Sequence, residues 1–158
     1  MTETVEDIPD EDAVSRLVDF PRMYEEARGL IWKQIFQFPG GKCESVVWRR
    51  YAPTPADVHR LGCEREAAKR RSKPEMRYVG FVSSTVGGIR GIRTERGHGF
   101  TVNHAPSEGR QHAEVCYAPA SQNGITKLLP NDKAELKEFL KNAFGELVSH
   151  SCATPAAI

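Results

Sequence analysis

Between Gly97 and Tyr117 the chain reads GHGFTVNHAPSEGRQHAEVCY, and this stretch limits the possible folds more than any other. Residues 100–104 and 111–117 each alternate apolar and polar side chains, the period of a strand with one face on a core. Between them lies turn chemistry, AlaProSerGluGlyArg at 105–110. Pro fixes φ, Ser bonds its own backbone, and Gly admits a positive φ. The spacing predicts a β-hairpin with Ala113, Val115 and Tyr117 facing the core and His112, Glu114 and Cys116 on the opposite face.

Other elements follow from local signals. Glu44 to Tyr51 reads as a strand, rich in Val and aromatic residues. ProThrProAlaAsp at 53–57 starts a helix, with Thr54 as cap, Pro55 in the first turn and Asp57 placed to favour the helix dipole. That helix is expected to run to about Arg71. Met76 to Val86 is strand-like and ends at GlyGly 87–88. Asp132 with Glu135 gives a capping-box pattern, and Leu136, Phe139, Leu140, Ala143, Phe144, Leu147 and Val148 recur at helical spacing, predicting a helix over 132–148. Nearer the start, Val14, Leu17 and Val18 suggest a short helix ended by Pro21. Residues 23–38 fit a helical stripe, with a strand over 30–38 left open, and ProGlyGly 39–41 is a turn. The expected class is α+β: a mostly antiparallel sheet of four or five strands with the 55–71 and 132–148 helices packed on one face.

Length and composition suit one globular domain, here 13–148, between an acidic flexible N-terminus (1–12) and a flexible tail (149–158); the chain has 158 residues, 39% of them apolar. The formal net charge of +1 hides an asymmetry. Residues 1–28 hold nine carboxylates against three arginines, and residues 48–96 hold twelve cations against five carboxylates. Either the acidic end docks on the basic segment or the two mark separate solvated faces, the simpler expectation. The cysteines, at 43, 63, 116 and 152, show no CxxC pair and no zinc-ribbon spacing, so no disulfide framework is expected. Without an apolar leader or a membrane-length apolar run, a reducing, cytoplasmic setting without membrane contact is the default.

Two groups of residues bear on function. His104, His112 and Glu114 are the candidate catalytic set, with one imidazole as a general base oriented by a carboxylate. If the hairpin brings the rings together, His104, His112 and Glu108 would make a first shell for a divalent transition metal such as zinc. HisAlaGlu 112–114 matches the start of a zinc-deaminase signature, but the required ProCysxxCys is missing, so that match fails. GlyGlyIleArgGlyIleArg 87–93 has neither P-loop nor dinucleotide-fold order. HisGlyPheThr 98–101 is a single tetrapeptide without a supporting partner. His59 and Cys63 sit one helical turn apart, a thiol–imidazole pair with no third group to orient it.

The second group is basic: Arg49, Arg50, Arg60, Arg70, Arg71, Arg90 and Arg93, interleaved with Trp48, Tyr51 and Tyr78. Arginine forks grip phosphates and carboxylates, and aromatic faces stack on bases. The leading expectation is a small intracellular, non-catalytic binding or accessory module engaging a protein or nucleic-acid partner through this face, with no cofactor. The alternative is a small hydrolase or metal-assisted enzyme built on His104, Glu108, His112 and Glu114.

Overall fold

Residues Ala13–Phe20 form β1, and the strand is buried along nearly its whole length because it lies inside the sheet with neighbours on both sides. The computed structural model describes residues 4–120 and 128–152. After β1 come a two-residue pair, Tyr24–Glu25 (β2) and Gly29–Leu30 (β3), and a single helical turn, Trp32–Ile35 (α1). Cys43–Trp48 (β4), Pro55–Lys69 (α2), Arg77–Thr85 (β5) and Val86–Arg90 (α3) follow. Gly99–His104 (β6) and His112–Ala118 (β7) make the hairpin, and Pro130–Ala143 (α4) and Val148–Ser149 (β8) complete the order.

The main sheet has six strands in the order β6-β7-β4-β1-β5-β8, every neighbouring pair antiparallel. The α+β class with a mostly antiparallel sheet therefore stands; the sheet has more strands than the four or five expected, and α1 and α3 add to the helices. The extra strand that matters is β1, expected as a short helix. With both faces covered it loses the polar alternation that marks a half-exposed strand, and Val14, Leu17 and Val18 fall at helical spacing by coincidence.

Successive side chains of a strand point to opposite faces, and two cores result. Val14, Val18, Val46, Trp48, Val82 and Val115 pack with Leu136 and Leu140 of α4 on one face. Leu17, Val47 and Phe81 pack with Tyr78 and Val58, the last from α2, on the other. The two long helices thus cover opposite faces of the sheet instead of sharing one. Their bounds also differ from expectation: α2 stops at Lys69, and α4 runs from Pro130 to Ala143, with Asp132 accepting from Leu129 N at 2.9 Å. The hairpin follows the predicted pattern, with Ala113 and Val115 fully buried.

Described residues near each terminus make contacts with the sheet. Ile8 is buried, Val86 N donates to Asp12 O at 2.8 Å, and Gly87 N donates to Asp10 O at 2.8 Å. At the other end β8 pairs with β5, and His150 N donates to Val79 O at 2.9 Å. The four cysteines form two disulfides, Cys43–Cys116 across β4 and β7 and Cys63–Cys152 between α2 and the C-terminal segment, which overturns the expectation of separate thiols. Among the described residues, no helix is long and apolar enough to cross a membrane. Expectations for residues 1–3, 121–127 and 153–158 lie outside the described residues.

Candidate functional site

The hairpin register divides the histidine–glutamate group. His104 pairs with Ala113, and directly opposed residues share a face, so the His104 ring turns toward the α4 core against Trp48 (centroids 4.9 Å). His112 points the other way, beside Ser45 and Glu108. Both nitrogens of His104 are occupied: Nδ1 accepts from Glu6 N at 3.0 Å, and Nε2 donates to Arg110 O at 2.8 Å. The expected His104–His112–Glu108 metal shell does not assemble, because its two imidazoles lie on opposite sides of a sheet. The catalytic set of His104, His112 and Glu114 is split for the same reason.

What remains on the outer face is a smaller constellation. His112 Nδ1 donates to Ala105 O at 2.9 Å, which leaves Nε2 as the acceptor, 3.1 Å from Ser45 Oγ. Glu108 Oε2 lies 3.2 Å from the same Nε2 and would bind it only in the protonated ring. Ser45 and His112 border a cleft of about 300 Å³ that also includes Arg65 and Leu61. Glu114 sits opposite Ser45 and Asn103, next to the Cys43–Cys116 bridge. Ser45 was not legible as a partner of His112, because only the β4–β7 register brings them together.

The arginines separate into three places. Arg49 is an internal brace: it donates to Ala52 O (2.9 Å), Pro53 O (2.9 Å) and Ser15 Oγ (3.3 Å) and lies over the Phe81 ring. Burial draws its pKa below the usual arginine value. Arg50 stacks on Trp48 and lies 3.6 Å from Asp12. Arg90 clamps the N-terminal segment through Ile8 O (2.6 Å), Asp10 Oδ1 (2.8 Å) and Val102 O (2.9 Å). Arg93 folds back onto the carbonyls of Arg90 and Ile92, and Arg60 sits 4.0 Å from Asp57. Of the two readings of the charge asymmetry, the acidic end docks on Arg50 and Arg90, and Glu6 adds a bond to the Tyr51 hydroxyl. Of the aromatic residues between the arginines, Trp48 and Tyr78 are core, and the half-buried Tyr51 ring is covered by Arg110 at 4.5 Å.

The third place is the end of α2. Arg70 and Arg71 are exposed there, about the length of β5 away from Arg90, on the order of 25 Å for a nine-residue strand. Beside them is a cleft of about 440 Å³ with Phe20, Pro21, Pro74 and Met76 as apolar walls and Arg22, Lys69 and Lys73 around them. Asp19 and Glu75 also line it, and Asp19 is already bound to Arg65 at 3.1 Å. Among the described residues, Arg22, Lys69, Arg70, Arg71 and Lys73 make no ion pair. Burial first, then repulsion from Arg65, draws the Lys69 ammonium below its ordinary pKa.

On the far side of α2, His59 and Cys63 meet the C-terminal segment. The His59 ring stacks on His150 with centroids 4.1 Å apart, and its Nδ1 lies 2.8 Å from the Tyr78 hydroxyl. Burial pushes the His59 pKa down, with His150 adding to the effect. Burial likewise holds the Tyr78 phenol well above its usual range.

No protein-family model matches the chain, and neither a characterised protein nor a solved structure shows significant similarity to it.

Proposed function

We propose that this chain is a non-catalytic binding module and that its docking site is the basic end of α2, where it takes an acidic protein segment carrying an apolar anchor. The observation that carries this reading is the pairing of a cleft's apolar walls with three lining cations, Arg22, Lys69 and Lys73, none of them ion-paired within the described chain. Arg70, which reaches Pro74 O at 3.4 Å, and Arg71 are exposed at the same helix end. An aliphatic or aromatic side chain entering between Pro21, Pro74 and Met76 would leave flanking acids beside Arg22, Lys69 and Lys73. A carboxylate there would also relieve the partly desolvated Lys69, whose charge burial disfavours. An acidic protein segment suits the site better than a nucleic acid, because the aromatic residue in the cleft lining, Phe20, is half-buried and its ring is already covered by Arg77 at 4.4 Å.

The test is fluorescence anisotropy with a short Glu-rich peptide carrying one central Leu or Phe. Binding is expected to weaken as salt rises, and Arg70→Ala with Arg71→Ala should weaken it by about tenfold, roughly 1.4 kcal/mol. Equal binding by the double variant would remove the basic end from the reading. Preference for an oligonucleotide over the peptide would redirect it to nucleic acid. The rival is a hydrolase using the Ser45–His112 pair, with Ser45 as nucleophile and His112 as base. Turnover of a simple activated ester, lost in both Ser45→Ala and His112→Ala, would overturn the non-catalytic assignment.

A further inference from the structure

Cys63, Cys152 and His150 place two sulfurs and one ring nitrogen within 4.8 Å of one another, and the ring of His59 stacks on the His150 ring. We propose that, once the Cys63–Cys152 disulfide is opened, Cys63, Cys152 and His150 bind a thiolate-preferring divalent ion, zinc above all, and that the His59 ring turns out of its near-parallel stack (11° between planes) to supply the fourth ligand.

Two short segments build the site. His59 and Cys63 are four residues apart on α2 and so lie on one helix face. His150 and Cys152 are two apart in the extended segment after β8, and so lie on one side of it. Each segment gives one nitrogen and one sulfur, the donor set that suits tetrahedral zinc. Such an ion holds its sulfurs about 3.7 Å apart. That separation is open to the two cysteines when they are not bonded to each other.

The backbone around the site is closely fitted. A Cβ on Gly62 would lie 2.4 Å from the Tyr78 ring, so glycine lets α2 seat on β5 directly beside Cys63. A Cβ on Gly80, which has φ +144°, would lie 2.2 Å from Val148 O, so glycine also lets β8 close on β5 and carry His150 inward. The Tyr78 hydroxyl engages Nδ1 of His59, leaving Nε2 for a metal; outer partners of this kind orient ligand imidazoles. Among the described residues the other bridge has no such set, since Cys43 and Cys116 are grouped there with the carboxylate of Glu114.

The chemistry balances with a dithiol as reductant. Exchange breaks the protein S–S bond, the reductant's two thiols become its own disulfide, and two electrons and two protons pass to Cys63 and Cys152. Zinc then displaces both thiol protons to solvent. In the reverse direction a small-molecule disulfide takes the two electrons, the protein S–S bond re-forms, and zinc leaves. Reducing conditions would favour the metal-bound form and oxidising conditions the disulfide.

The experiment uses the full chain, reduced with a phosphine, freed of it without air, and titrated with zinc or cobalt(II) against a chelator of known affinity. One equivalent of metal, a tetrahedral cobalt spectrum with a sulfur-to-metal charge-transfer band, and loss of metal on reoxidation are expected. Cys152→Ser, His150→Ala and His59→Ala should each weaken binding at least about tenfold, the loss seen even for outer partners. The histidine variants leave both disulfides able to form, so they report on the site even if a cysteine variant does not fold. Cys43→Ser with Cys116→Ser should bind as the parent does. A reduced chain that takes up no stoichiometric metal, or that loses it through Cys43 and Cys116, would overturn the proposal. Neither outcome touches the peptide site at the end of α2, which is tested in the oxidised protein.

Discussion

Arg16 and Glu44 form an ion pair whose side chains are only 4% and 5% exposed, 3.1 Å apart. Burial pulls the Arg16 pKa down to about 10, against the attraction of Glu44. The pair persists because nearly every polar atom around it is engaged. Arg16 donates to Ile35 O (3.0 Å) and Ser45 O (3.3 Å), and Glu44 Oε2 accepts from Gln37 N (2.9 Å) and Phe38 N (3.0 Å). Those last two bonds fix Phe38 at φ 51°, a strained setting for a bulky residue, with its ring stacked on Tyr117 at 4.2 Å. Arg16→Met should therefore lower unfolding free energy by about 3–5 kcal/mol, because it strands a buried carboxylate. Arg16→Met with Glu44→Leu should cost less than the sum of the two single changes. Urea unfolding of the cycle is the check, and additive losses would show that the two charges do not depend on each other.

Among the elements, the N-terminal segment is the one whose role changed most. Its acids looked like a solvated tail, yet Ile8 is buried and Asp10 and Asp12 bind Arg90 and Arg50. Deleting residues 1–11 should cost about 2–4 kcal/mol, since the burial of Ile8 alone accounts for roughly 1.5–3. It should also raise retention on a heparin column by releasing Arg90. Unchanged melting and unchanged retention would mean that the segment is not held in solution. The hairpin and β5 were legible because their strands carry period-2 or bulky β-type patterns, and α2 because Thr54, Pro55 and Asp57 mark its start. The structure confirms that start, with Asp57 N donating to Thr54 Oγ1 at 3.1 Å. β1 was illegible because burial on both faces erases the alternation. The site residues were legible in kind but not in place: His59 beside Cys63 was visible on the helix, whereas His150 and Cys152 reach it only through β8.

At the scale of the whole molecule, the two disulfides join segments that secondary structure alone leaves distant. Cys43 and Cys116 are 73 residues apart, and Cys63 and Cys152 are 89 apart. Separations of that size carry no local signal, so composition and spacing could not reveal the pairing. Closing loops this long stabilises by about 4 kcal/mol each if the effect is denatured-chain entropy. The two bridges should nevertheless behave differently. Cys43–Cys116 lies within the already paired β4 and β7, so Cys43→Ala with Cys116→Ala should retain the sheet and lose about 2–4 kcal/mol that no metal restores. Cys63–Cys152 instead ties α2 to a C-terminal segment otherwise held by the two-residue strand β8, the His150 N–Val79 O bond and the His59–His150 stack. Reduction should free that segment first, seen as faster exchange of the His150 amide, which donates to Val79 O, and zinc should return the protection if the His59 and His150 side chains are intact. Exchange that quickens equally across β4 and β7 on reduction, or that zinc leaves unchanged at the His150 amide, would show that the C-terminal segment is not the part that opens.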